Sequence, residues 1–211
     1  LDELAGLQPG DSWGLAERLA SLHVQRAFLY QVGRMDEAAS SARQSIAVLE
    51  AAPADLPDRD RELVRATLDL GMFLSQRQYE EGAAMIEKAL SLMRTLREAR
   101  PDDVSLVAQE AHALFTAQLC AWNAQRLDDC RRQAERLVTE IGGFLHASDT
   151  ATSAGPLRGF LTQMVSVGCK RLAILAEMTG QADDAITFAQ QRQRLCLEAV
   201  ASLPEGDVES L

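Results

Sequence analysis

The chain has 211 residues, 47% hydrophobic and 25% charged, enough to bury a continuous core, and with 5% aromatic residues it is poor material for a β-sandwich. A formal charge of −10 removes the basic footprint that nucleic acid or an anionic lipid surface needs, and no apolar run approaches the length of a membrane span. The core must be built from Ala, Leu, Val and Ile, which suits closely packed helices.

Residues 1–10 carry no apolar period, end in Pro9-Gly10 and read as a lead-in. Asp11-Ser12 offers capping side chains to a first helix that runs to about Val32. The second runs from Asp36 to about Ala51 and ends at the Pro53 to Pro57 link, because proline is poorly tolerated inside helices. Asp58 is the expected cap of a third helix reaching about Gln76. The fourth runs from Glu80 to about Ala99, with Arg94, Arg97 and Arg100 near its negative end. Pro101 restarts the chain, helix five spans about Asp102 to Ala124, and helix six about Asp128 to His146. Ser148 to Gly155 has linker composition and is the expected mobile loop. Pro156 fits the first turn of helix seven, which runs to about Thr179; helix eight follows from Ala182 to Leu203, and an acidic tail occupies 204–211.

One short phrase recurs between the members of each helix pair. Gly33-Arg34-Met35-Asp36-Glu37-Ala38 returns as Arg77-Gln78-Tyr79-Glu80-Glu81-Gly82, as Gln125-Arg126-Leu127-Asp128-Asp129-Cys130, and as Gly180-Gln181-Ala182-Asp183-Asp184-Ala185. A polar or glycine turn, an acidic pair and a small residue describe a tight connection between antiparallel helices. The acids meet the positive end of the second helix, and the small residue permits close approach. The prolines divide the chain independently into blocks 10–52, 58–100, 102–155 and 157–203, each holding one copy of the phrase.

Position by position these residues resemble the tetratricopeptide repeat (TPR) family, whose unit is a 34-residue helix-turn-helix with small residues at fixed places. The resemblance covers residues 12 to 203 and implies an all-α solenoid of about eight helices, stacked as antiparallel pairs (about 11–52, 58–100, 102–147 and 156–203) in one right-handed superhelical domain, 11–203. The second small site of each copy falls on Ala42, Ile86, Ala134 and Ala189, and the first helices supply Leu22, Leu29, Ala66, Phe73, Leu114, Ala121, Leu172 and Ala176 for packing. The anchors Ala38, Gly82, Cys130 and Ala185 stand 44, 48 and 55 residues apart, so these repeats are longer than the family unit.

Chemistry is sparse. His23, His112 and His146 lack metal-ligand spacing, no nucleophile or phosphate-loop motif is present, and no cofactor or metal is expected. Cys120, Cys130, Cys169 and Cys196 have neither knuckle nor redox spacing and read as small buried hydrophobes, which fits a cytoplasmic protein. Arg131, Arg132, Arg136, Arg192 and Arg194 read as solvated outer faces.

In the TPR family the first helices line a concave groove. Carried onto this chain, the groove-facing sites hold His23, Tyr30 and Gln31; Leu68 and Leu74; His112, Phe115, Trp122 and Asn123; and Lys170, Arg171 and Glu177. Aromatic anchors beside polar groups suit a binding surface, although Phe115 and Trp122 equally fit packing between neighbouring helices. The carboxylate clamp that some members use is absent, since its places hold His23, Ala27, Leu68, His112 and Thr116.

The expected function is a non-catalytic module holding a peptide or partner helix in that groove. The alternative is the sensor or regulatory arm of a larger bacterial signalling or transcription regulator, which agrees with Leu1 in place of a starting Met. On helix eight, Ile186, Ala189, Cys196, Val200 and Leu203 form the expected buried stripe, with Phe188, Leu195 and Leu197 off it. With no polar cap following, a homodimer through this helix is the further expectation.

Overall fold

The computed structural model describes residues 12–56, 58–101, 103–147 and 155–201. The expected lead-in, the linker after Ser148, Leu203 and the acidic tail lie outside them. Among the described residues the structure is helical, without strands: α1 (Ser12–Gln31), α2 (Met35–Ala51), α3 (Arg59–Ser75), α4 (Tyr79–Ala99), α5 (Val104–Asn123), α6 (Leu127–Arg136), α7 (Gly142–Ala147), α8 (Gly155–Met178) and α9 (Ala182–Ala201). No helix among them is long and apolar enough to cross a membrane. The chain divides into two compact units, 1–98 and 99–211.

All four turn phrases fall between paired helices, and the small anchor plays the same part in each. Its N–H closes the first α-helical bond, to the carbonyl before the helix: Ala38 to Arg34 at 3.0 Å, Gly82 to Gln78 at 3.0 Å, Cys130 to Arg126 at 2.9 Å and Ala185 to Gln181 at 3.0 Å. All four anchors are buried. The acidic pairs sit in the first turn, where they meet the helix dipole; the preceding Arg34 and Arg126 make no side-chain cap.

Three turns share one backbone solution. Gly33, Gln125 and Gly180 adopt positive φ of 76°, 60° and 74°. The N–H groups of the residues after them reach back five positions, Arg34 to Leu29 at 2.9 Å, Arg126 to Ala121 at 2.8 Å and Gln181 to Ala176 at 2.9 Å. This is the Schellman ending, which satisfies the last carbonyls of the first helix. The α3–α4 turn closes instead through Gln78 to Leu74 at 2.8 Å, without a left-handed residue.

In the first unit α2 packs on both α1 and α3. Its core joins Leu29, Ala38, Ala39, Ala42, Leu70 and Phe73, flanked by Met35, Ile46, Met72, Leu74 and Met85. Helices α3 and α4 approach at Gly71 and Gly82, where added Cβ atoms would stand 2.8 Å from the Gly82 carbonyl oxygen and 2.6 Å from that of Gly71, respectively. In the second unit α8 packs on α5, α6 and α9 over Leu114, Cys130, Ala134, Leu161, Cys169 and Leu175, all buried.

Four details depart from the sequence reading. Asp58 stands at the start of α3, but in a left-handed conformation with no capping bond; the side chain that does cap is Asp103, which accepts from the Ser105 N–H at 3.1 Å. The single helix expected from Asp128 to His146 is interrupted by a π-helical turn, Leu137–Ile141, before α7. In a regular α-helix residues four apart drift by about 40°. The wider turn offsets that drift, so Leu137, Ile141 and Leu145 all bury on one side.

On α9 the buried side is Ala185 and Leu195 with Phe188 half-buried, whereas Ile186, Ala189 and Cys196 of the expected stripe are exposed. The equivalent sites in α2, Ala39 and Ala42, are covered because α3 follows; no described helix does the same for α9. Cys196 is therefore exposed, unlike Cys120, Cys130 and Cys169.

Candidate functional site

Helix α5 buries most of its circumference, from Leu106 and Val107 through Leu114 to Cys120 and Ala121. What remains outside is a strip at helical spacing: exposed His112, half-buried Phe115, Leu119 at 37% exposure, half-buried Trp122 and exposed Asn123. Leu119 was not among the sequence-derived candidates. Its place four residues after Phe115 and three before Trp122 is the signal that could have found it.

Helix α8 packs beside α5 and brings Arg171 onto this strip. The guanidinium carbon stands 4.0 Å from the centroid of the Trp122 ring, within cation–π range. Lys170 next to it is exposed, and along α8 follow half-buried Ile174 and Met178, 58% exposed. The charge of Arg171 is felt beneath the surface too. Burial pushes the Cys130 thiol up to about 11, against a smaller downward pull from Arg171. Burial is likewise the main reason that Cys169 rises to about 11.

The first-unit candidates have other surroundings. The Tyr30 ring lies 5.5 Å from that of Phe73, tilted by 34°, so half of its body belongs to the α1–α3 packing. His23 is half-buried between two arginines, with Nδ1 3.0 Å from Arg26 Nη2 and Nε2 2.7 Å from Arg65 Nη2. Arg26 is itself buried, donates from Nη1 to Ser45 Oγ at 3.1 Å and forms an ion pair through Nε with Asp69 Oδ2 at 2.6 Å. Burial, then Arg65 and Arg26, lower the His23 pKa below its ordinary value. Asp69 is raised because burial outweighs the opposing pull of the two arginines. A neutral imidazole accepts at one ring nitrogen only, so His23 spends its acceptor inside this cluster.

Of the remaining groove-facing expectations, Gln31 and Glu177 are exposed, whereas Leu68 and Thr116 are core residues and Leu74 packs against the core of the first unit. The outer arginines are engaged locally: Arg131 donates to Gln181 Oε1 at 3.0 Å, Arg132 pairs with Asp129 at 3.0 Å and Arg136 with Glu140 at 3.1 Å. Among the described residues no group of His, Cys, Asp and Glu could hold a metal ion. The α5–α8 strip is thus equipped for contact: an aromatic plate, apolar side chains and two cations.

No family model and no curated protein matches the sequence. Among solved structures the chain is similar to the crystal structure of nearly identical TPR-like repeats from a candidate kinesin light chain of Podosopora anserina. The TM-score is 0.37 and the identity 16%, over 86% of this chain and 96% of that one.

Proposed function

We propose that this chain is a non-catalytic protein-interaction module that holds a peptide or a partner helix along the exposed strip of α5 and α8. The observation that carries this reading is the Trp122–Arg171 stack, flanked by Phe115, Leu119 and Met178. Large aromatic and arginine side chains fixed on rigid helices are what interaction hot spots are made of. His112, Asn123 and Lys170 supply polar contacts at its margin; Tyr30 and His23, on the first unit, are proposed as a contact point of that unit by itself. Pull-down of partners with the full chain tests this. Trp122→Ala combined with Arg171→Ala should remove the specific partner while circular dichroism stays unchanged; retention of that partner by the double variant removes the surface from consideration.

The exposed face of α9 favours a second use of the chain, association with a copy of itself. Ile186 is 55% and Leu197 63% exposed, with Ala189 and Cys196 beside them. Sedimentation at high concentration should give a dimer that Ile186→Glu with Leu197→Glu returns to monomer; a wild-type chain that stays monomeric ends this reading.

A further inference from the structure

Resting on the interaction reading above, we infer that the partner of the α5–α8 strip is an acidic, amphipathic peptide segment: its apolar side chains lie on Phe115, Leu119, Ile174 and Met178, and its carboxylates meet Arg171 and Lys170. The Arg171 guanidinium carbon lies over the Trp122 ring at 4.0 Å, a contact that consumes none of its N–H donors as hydrogen bonds and leaves their edge able to donate. That edge is a fork whose shape fits a carboxylate.

Within the chain nothing takes the role. Neither Arg171 nor Lys170 has a carboxylate partner among the described residues, in a protein with 31 acidic side chains. Elsewhere such partners are found, as in Arg26–Asp69, Arg77–Asp36, Arg132–Asp129 and Arg136–Glu140. Glu177, on the same helix, lies six residues past Arg171 and about 240° around the axis, off the strip. Glu110 of α5 is buried.

A half-buried cation held against an aromatic ring is already partly stripped of water, so a carboxylate gains more from it than from a freely solvated lysine. The apolar neighbours make charge alone insufficient. A net charge of −10 opposes a phosphate-rich polymer, which favours a peptide whose few acids are local to this strip.

The test uses the full chain and three labelled, otherwise uncharged peptides of about 14 residues, four helical turns, sharing one leucine face and carrying a single adjacent pair of Glu, Gln or Lys beside it. Fluorescence anisotropy at low salt should give the Glu peptide an affinity at least about tenfold above the Gln peptide, with the gap closing as salt screens exposed charges. Arg171→Gln with Lys170→Gln should close that gap at low salt, bringing the Glu peptide down to the affinity the same variant shows for the Gln peptide, and a Glu preference that survives in this variant overturns the inference. Equal binding of all three peptides overturns the charge preference; if Trp122→Ala still abolishes that binding, the interaction surface itself stands. Preference for the Lys peptide, tighter binding of an oligo-dT strand than of the Glu peptide, or no binding by any peptide also overturns the inference. The pull-down with the double alanine variant decides the surface separately.

Discussion

A methyl group added at position 82 would clash with the Ser75 backbone nitrogen and stand 2.6 Å from the Gly71 carbonyl oxygen. Both neighbours are backbone, so relief requires α3 and α4 to move apart. Gly82→Ala should therefore destabilise by about 2–3 kcal/mol, even though alanine is the better helix former by about 1 kcal/mol. Gly143 is the control, because nothing lies within 4 Å of a Cβ built there. Urea denaturation of both variants checks the pair; a Gly82→Ala chain as stable as the wild type would mean that the helices part at little cost. Gln118 presents the opposite case: it is fully buried, and neither amide atom has a hydrogen-bond partner. Leaving such a group unpaired costs about 1–3 kcal/mol, so Gln118→Met, similar in length and apolar, should stabilise by about 1 kcal/mol or more. A loss of stability in that variant would reveal a partner for the amide.

At the scale of the element, the turns were legible and the packing between elements was not. The phrase at Gly33, Gln125 and Gly180 records local chemistry, a left-handed residue and an acidic first turn, and local chemistry survives in sequence. Gln125 is the non-glycine member, at φ 60°. A side chain there costs about 1–2 kcal/mol, part of which glycine returns through the greater freedom of its unfolded chain. Gln125→Gly should thus raise stability by about 0.5–1 kcal/mol in thermal unfolding, and a lowered midpoint would mean that the glutamine side chain contributes more than its backbone strain removes. The candidate strip came from the TPR resemblance, which supplied His112, Phe115, Trp122 and Asn123 but not Leu119 on α5, nor Ile174 and Met178 on α8. The contact of Arg65 with His23 spans 42 positions and depends on how α1 and α3 meet, which no local pattern records. The buried side of α9 was misassigned on similar grounds. Ile186 and Ala189 occupy sites that α2 buries, but burial there depends on a following helix.

Over the molecule as a whole, the cysteines report on the packing of the second unit, which contains all four. The Cys130 and Cys169 thiols are buried and pushed up to about 11 from an ordinary 9.0, so their thiolate fraction at mildly alkaline pH is lowered about a hundredfold before access is considered. Cys120 is buried as well. Cys196 alone is exposed, on the outer face of α9, with its Sγ 3.5 Å from Ser166 Oγ. Reaction requires thiolate and access together, and in the folded chain only Cys196 has the second. A chromogenic disulfide reagent at pH 8 should therefore titrate one thiol per native chain quickly and the remaining three only as the unit opens, with all four reacting in denaturant. Cys196→Ser should abolish the fast phase and leave the slow phases unchanged, because that side chain lies outside the core. Two or more fast thiols in the native chain, or a fast phase that survives Cys196→Ser, would show that the α5–α6–α8 core opens far more readily than its burial implies.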